Sequence, residues 1–207
     1  GQRFVSYTAQ DGLACDWVTS AVIDRRGDVW FGTATGVSRY DGQSFVTLTV
    51  ADGLACDWVA SVLEDSRGDM WFGTQNVLLT GAKDRGLSRY SGAEFANYTT
   101  ADGLTDDNVL AMHEDRSGRL WLGTDRGGVS CLDGDSFVSC TPADGLADNT
   151  VSAIHEDLDG QMWFGTGAKF GKVGGGISRC DRSHFTRFAA ADGLPSDNVG
   201  CLLEQRA

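Results

Sequence analysis

Two short motifs recur through the chain at matched intervals, and they constrain its fold more than any other feature. Asp-Gly-Leu occurs at residues 11–13, 52–54, 102–104, 144–146 and 192–194, in steps of 41, 50, 42 and 48. Trp-Phe/Leu-Gly-Thr occurs at 30–33, 71–74, 121–124 and 163–166, in steps of 41, 50 and 42. The two markers move together, which defines a repeat of about 41 residues. Extra length enters at one point only, just after the Thr, as residues 75–85 and 167–175. Insertions confined to one point of a repeat map to loops on one face.

Each unit reads as four short strands. The first covers 18–24, with copies at 59–65, 109–115, 151–157 and 199–205. The second carries the Trp, flanked by Val29, Met70, Leu120 or Met162 before it and Phe31, Phe72, Leu122 or Phe164 after it. Apolar residues on both faces mark a strand buried on both sides. The third covers 36–40, 86–90, 128–132 and 176–180; the fourth is anchored by Phe45, Phe95, Phe137 and Phe185. Asp24-Arg25-Arg26-Gly27 and its copies supply the turn chemistry between strands one and two, and Asp41-Gly42 and Asp133-Gly134 that between three and four. Repeated four-stranded antiparallel units of this length are blades, so the fold class is all-β, a β-propeller. A β-solenoid, the rival architecture, has shorter parallel coils and does not need these hairpins.

The predicted blades run 18–48, 59–98, 109–140 and 151–188, in one propeller spanning 1–207. The ends are out of phase with them. Residues 1–7 align with the fourth strand of a blade (42–48), and the final segment aligns with a first strand. Lone strands are therefore expected at 4–7 and 199–204. Exposed edges there predict a homo-oligomer, most simply a dimer through the unfinished ends. The chain begins Gly-Gln-Arg-Phe without Met and reads as a mature, excised or engineered segment.

Composition narrows the function classes. Lys and Arg total 17 against 29 Asp and Glu, a formal charge of −12. Nucleic acid and anionic membrane surfaces demand a basic face, so neither is an expected partner. No apolar run approaches the ~18 residues of a membrane helix. There are 28 Gly and only 2 Pro, which suits many tight turns between strands and not a disordered linker.

The pattern Gly53-Leu54, Val59, Glu64-Asp65, Gly68, Trp71-Phe72-Gly73-Thr74 and Gly86-Leu87-Ser88-Arg89-Tyr90 resembles the two-component regulator propeller repeat, over nearly the whole chain. The resemblance implies the periplasmic or extracellular sensor portion of a hybrid histidine kinase. Such sensors are implied to recognise ligands such as oligosaccharides, without catalysis. At the position where that pattern commonly has Asn, the chain has Trp17 and Trp58 in its first two units and Asn108, Thr150 and Asn198 in the others.

These positions lie just before the inner strand, on the face expected to carry both the inter-blade links and the insertions. Variable loops over a rigid scaffold concentrate binding residues. Trp17 and Trp58 can stack on a sugar ring; packing against the neighbouring blade is the alternative, and duplication of Ala-Cys-Asp-Trp would explain the pair equally. Lys83 and Arg85 in one insertion, and Lys169, Phe170 and Lys172 in the other, are the clearest basic spots. They suit an acidic sugar or a protein partner; a solvated loop is the alternative. With Asn108 and Asn198 these residues form the candidate ligand-binding set.

Other features read as structural. Trp30, Trp71, Trp121 and Trp163 are core positions, and Asp24, Asp65, Asp115 and Asp157 turn anchors. Asp157-Leu158-Asp159-Gly160 has a faint look of a calcium loop but lacks the Glu at position twelve, which is Ala168. His113 and His155 share one register without a second His four residues on, so they do not make the zinc-protease motif. No nucleophile elbow is present. Cys15, Cys56, Cys131, Cys140, Cys180 and Cys201 have neither zinc spacing nor a disulfide framework. No metal and no cofactor is expected. The reading is a non-catalytic binding module for an oligosaccharide or protein; the alternatives are a self-assembling structural propeller and, last, a lyase-like enzyme.

Overall fold

The computed structural model describes residues 4–75, 85–167, 174–181 and 184–204. Among them are sixteen strands in four antiparallel sheets, each built from four strands in chain order. The chain is an all-β propeller of four blades. It divides into two compact units, Gly1–Asn97 and Tyr98–Ala207.

In the first unit, one blade comprises β1 (Val18–Ile23), β2 (Val29–Thr33), β3 (Gly36–Tyr40) and β4 (Phe45–Leu48). The next comprises β5 (Val59–Glu64), β6 (Met70–Thr74), β7 (Leu87–Tyr90) and β8 (Phe95–Tyr98). The second unit repeats the plan with β9 (Val109–Glu114), β10 (Leu120–Thr124), β11 (Val129–Asp133) and β12 (Ser136–Cys140), then β13 (Val151–Glu156), β14 (Met162–Thr166), β15 (Ile177–Asp181) and β16 (His184–Phe188).

The Asp that closes each expected first strand belongs to the following turn. Asp65 is representative. Its Oδ1 accepts the amides of Arg67 and Asp69, both at 2.9 Å, and its Oδ2 accepts the Trp71 indole N–H at 2.8 Å. Asp24, Asp115 and Asp157 hold Trp30, Trp121 and Trp163 in the same way. The repeat's Asp and Trp, six residues apart, are thus one device joining a turn to a core side chain.

The core lies between blades. In the first unit Trp30, Val37, Leu54, Val59, Met70 and Phe72 form one buried cluster, with Tyr90 and Phe95 against it. In the second, Trp121, Val129, Cys131, Leu146, Val151, Met162, Phe164 and Cys180 form its counterpart. Each repeat motif contains a glycine set by close approach. A Cβ on Gly123 would lie 2.6 Å from the Val151 carbonyl oxygen, and one on Gly32 2.9 Å from Val59 Cγ1. The Gly of Trp-Phe-Gly-Thr therefore admits the next inner strand. The Gly of Asp-Gly-Leu takes left-handed φ, +111° at Gly53, with the Phe95 side chain 3.2 Å from where a Cβ would stand.

Short 3₁₀ turns absent from the sequence reading cap these links, at Ala9–Asp11, Val50–Asp52, Thr100–Asp102 and Ala190–Asp192. Two acids fix each one. Asp52 accepts the amide and hydroxyl of Thr49, and Asp57 accepts the Val50 amide.

The lone end strands expected at 4–7 and 199–204 are not strands: neither segment carries a β ladder. A ladder needs a neighbouring backbone to exchange hydrogen bonds with, and each segment lies against side chains and strand ends instead. The Val199 carbonyl accepts from Ser152 Oγ at 2.8 Å, as the Val59 carbonyl accepts from Thr19 Oγ1 in the first unit. The Tyr7 ring stands 5.5 Å from Phe45, as Tyr98 stands 6.0 Å from Phe137. The segments hold blade positions without blade pairing.

Candidate binding surface

The loop between the second and third strands of each blade meets the residue that precedes the inner strand. In the first unit the amides of Ala34 and Gln75 donate to the Trp17 and Trp58 carbonyls at 3.2 and 3.0 Å. In the second, Asp125 and Gly167 donate to Asn108 and Thr150. The expected sharing of one face by links and insertions therefore holds in each unit for the described residues.

Trp17 and Trp58 come together. Their ring centroids are 5.4 Å apart at 65°, an edge-to-face pair worth about 0.5–1.5 kcal/mol beyond burial. Trp17 is 63% exposed, unusual for the largest side chain. Trp58 is half-buried, and its indole nitrogen is enclosed without a hydrogen-bond partner among the described residues. Packing and binding are not exclusive here: Trp58 supports Trp17 and leaves it presented to solvent. The duplicated Cys residues brace the pair's backbone, with Cys15 Sγ accepting the Trp17 amide at 3.3 Å and Cys56 Sγ donating to the Gln75 carbonyl.

The remaining candidates do not join one constellation. Asn108 is tied to its own turn, its amide and side-chain nitrogen both donating to Asp106 Oδ1. Asn198 is exposed and accepts the Gly174 amide at 2.7 Å, pinning the return of the second insertion. Arg85 is half-buried at the return of the first. Lys83, Lys169, Phe170 and Lys172 lie outside the described residues.

The two histidines meet, with ring centroids 6.0 Å apart. Burial pushes the His113 pKa down, and the charge of His155 adds to it. His155 Nε2 stands 3.8 Å from Glu204. The Asp157 loop that faintly suggested calcium spends its carboxylate on the Asp159 and Gln161 amides and the Trp163 indole. All six cysteines are free thiols, and Cys131 stands opposite Val138, not Cys140, across the β11–β12 pair. No described helix is long and apolar enough to cross a membrane.

The family described as two component regulator propeller matches residues 12–35, 53–76, 103–126 and 145–168. Each match runs from a link glycine through the inner strand to just past Trp-Phe/Leu-Gly-Thr. The repeats belong to the two component regulator propeller family. No curated protein matches the sequence. Among solved structures, the chain is similar to the extracellular domain of a one component system from B. thetaiotaomicron, at TM-score 0.66 and 19% identity over 87% of this chain and 26% of that one. It is similar to PorZ, a surface component of the type-IX secretion system of Porphyromonas gingivalis, at 0.66 and 15% over 98% and 32%. Virginiamycin B lyase from Staphylococcus aureus is similar at 0.61 and 17%, over 83% and 55%. These likenesses show the propeller fold. The chain spans between about a quarter and about half of those proteins.

Proposed function

We propose that this propeller module is a non-catalytic, extracytoplasmic sensor segment that binds a glycan on the face carrying Trp17 and Trp58. The exposed Trp17 ring, backed edge-on by Trp58, supports this reading. A planar apolar surface held rigid by a neighbour costs little entropy to bring against the apolar face of a sugar ring. The family of the repeats, and the extracellular setting of the one component system domain that shares the fold, point the same way. The acidic charge of −12 disfavours acidic glycans away from the basic insertions, so neutral oligosaccharides are the first ligands to test.

Calorimetric titration with a panel of neutral and acidic oligosaccharides tests the proposal. A hit should be weakened at least tenfold by Trp17→Ala while the melting temperature without ligand changes little. Unchanged affinity in a Trp17→Ala/Trp58→Ala double variant removes the pair from the site.

A second reading, self-association, is favoured by Phe4 and Leu203, which are 92% and 91% exposed. Light scattering should then give more than one chain's mass, and Phe4→Ser with Leu203→Ser should reduce it. A monomer at high concentration refutes it.

A further inference from the structure

The second unit contains a cleft that the repeat pattern should have filled. In the first unit Arg39 stands opposite Trp30 across the β2–β3 pair, and Tyr90 stands opposite Met70. Tyr90 packs against Trp30 with ring centroids 6.1 Å apart, and Arg39 covers Trp30 while pairing with Asp28. The second unit has the same register with different residues. Cys131 stands opposite Trp121, and Cys180 opposite Met162. Two large side chains are thus replaced by thiols on either side of Trp121.

Arg119 covers Trp121 as Arg39 covers Trp30, but at Cys180, where the first unit has Tyr90, a cleft of about 550 Å³ opens, bounded by Arg119, Trp121, Asp133, Met162 and Cys180. It adjoins a lobe of about 350 Å³ that shares Arg119, Trp121, Asp133 and Cys180 and adds Val138, Cys140 and Phe185. Small-molecule sites occupy about 300–1,000 Å³. Cys131, Val138, Cys140 and Phe185 give the lobe an apolar floor. Burial pushes the Cys131 thiol up to about 12 and the Cys180 thiol to about 11, so both stay neutral and unreactive.

The mouth carries two opposite charges that do not pair with each other. Arg119 donates through Nε to Asp115 at 2.8 Å and lies 5.3 Å over Trp121. No other hydrogen bond engages its guanidinium among the described residues, which leaves the outer nitrogens available. Asp133 ends β11, exposed, with no hydrogen-bond or ion-pair partner among the described residues. Asp144, the remaining acid of the lobe, is committed to the amide and hydroxyl of Thr141. One free donor fork, one free carboxylate and an apolar recess between them complement a zwitterion with an apolar tail. A ligand with a single anionic charge would meet Asp115, Asp133 and Asp144 uncompensated. A sugar would leave the apolar recess unused.

We propose that this cleft binds a free amino acid with a large apolar side chain. The carboxylate sits on the outer nitrogens of Arg119, the ammonium on Asp133, and the side chain in the lobe beside Val138, Phe185 and Cys140. Charge-assisted hydrogen bonds at both ends set the orientation, and the recess selects side-chain size.

Isothermal titration of the full chain with L-phenylalanine and L-methionine tests this. 3-Phenylpropionate, 2-phenylethylamine, N-acetylphenylalaninamide and glucose serve as comparators. At least one amino acid should bind, and deleting either of its charges should weaken binding at least tenfold. Asp133→Asn, on the surface, should weaken the amino acid at least tenfold and should not weaken 3-phenylpropionate, which loses a repelling charge. Cys180→Tyr restores the residue of the first unit, and should abolish binding without lowering the melting temperature. Should that variant fail to fold, Asp133→Asn decides the matter alone. Absence of heat with both amino acids at about 10 mM, equal affinity for glucose, or full binding by a folded Cys180→Tyr protein overturns the proposal.

Discussion

Replacing Asp65 with Ala should destabilise the protein by about 4 kcal/mol, far more than a typical turn substitution. Three donors lose their acceptor together. The Trp71 indole N–H is sealed, since Trp71 is 5% exposed and Asp65 7%. An enclosed donor without a partner costs about 1–3 kcal/mol. The Arg67 and Asp69 amides lie in a turn that water reaches, so each loses only the net ~0.5–1.5 kcal/mol of its bond. The sum is about 2–6 kcal/mol. For a chain of this size a melting temperature falls about 2–4 °C per kcal/mol, so the drop should be roughly 10 °C. Asp157→Ala is the internal control. It removes an equivalent set of bonds, but Asp157 and Trp163 are only half-buried. Water can replace what is lost there, and the cost should be lower by about 2 kcal/mol. Calorimetric melting of both variants beside the parent protein reads the difference. Equal losses would refute the argument that burial of the indole, and not the turn itself, carries the energy.

Further expectations concern acid stability, backbone approach and thiol chemistry. Burial raises the Asp115 pKa, but hydrogen bonds from Ser117, Trp121 and Arg119 outweigh it and bring the carboxyl down to about 2. A depressed carboxylate stabilises the fold above its unfolded value near ~3.9 and loses that contribution as pH falls toward 2, about 2 kcal/mol in all. Denaturant titrations at several pH values should show this loss, and Asp115→Asn should flatten it. Gly123→Ala places a methyl 2.6 Å from the Val151 carbonyl, and should cost about 3 kcal/mol. Gly27→Ala meets open space and strains only φ, so it should cost about 1 kcal/mol; a melt showing the reverse order would contradict the inter-blade packing. A limiting maleimide reagent followed by peptide mapping should label exposed Cys201 first and spare Cys131 and Cys180 until the protein unfolds.

Repeat spacing, strand count per blade and the roles of the recurring Trp and Asp were legible in the sequence because each depends on local chemistry. An Asp three residues before a turn Gly binds amides of its own turn wherever that turn forms, and a Trp between apolar neighbours is buried whichever blade it occupies. The 3₁₀ links were not read from the sequence: Asp16, Asp57, Asp107 and Asp197 recur at a fixed place in the repeat, but the amide each one clasps lies seven residues back, across the turn, and only the folded link brings the two together. The end segments were misjudged as strands because composition records what a segment resembles, while a ladder requires a partner backbone in place.

For the candidate sites the division is sharper. Duplication of Ala-Cys-Asp-Trp brought Trp17 and Trp58 to notice, but only the tertiary structure decided that one ring supports the other and leaves it exposed. Cys131 and Cys180 read singly as small buried residues, and so they are. That they stand on either side of Trp121, where the first unit places Arg39 and Tyr90 about Trp30, follows from register and blade packing together. Sequence determines what each repeat position carries; the space left between two substituted positions exists only once separate blades are packed, because a cavity is a property of facing surfaces and not of either strand.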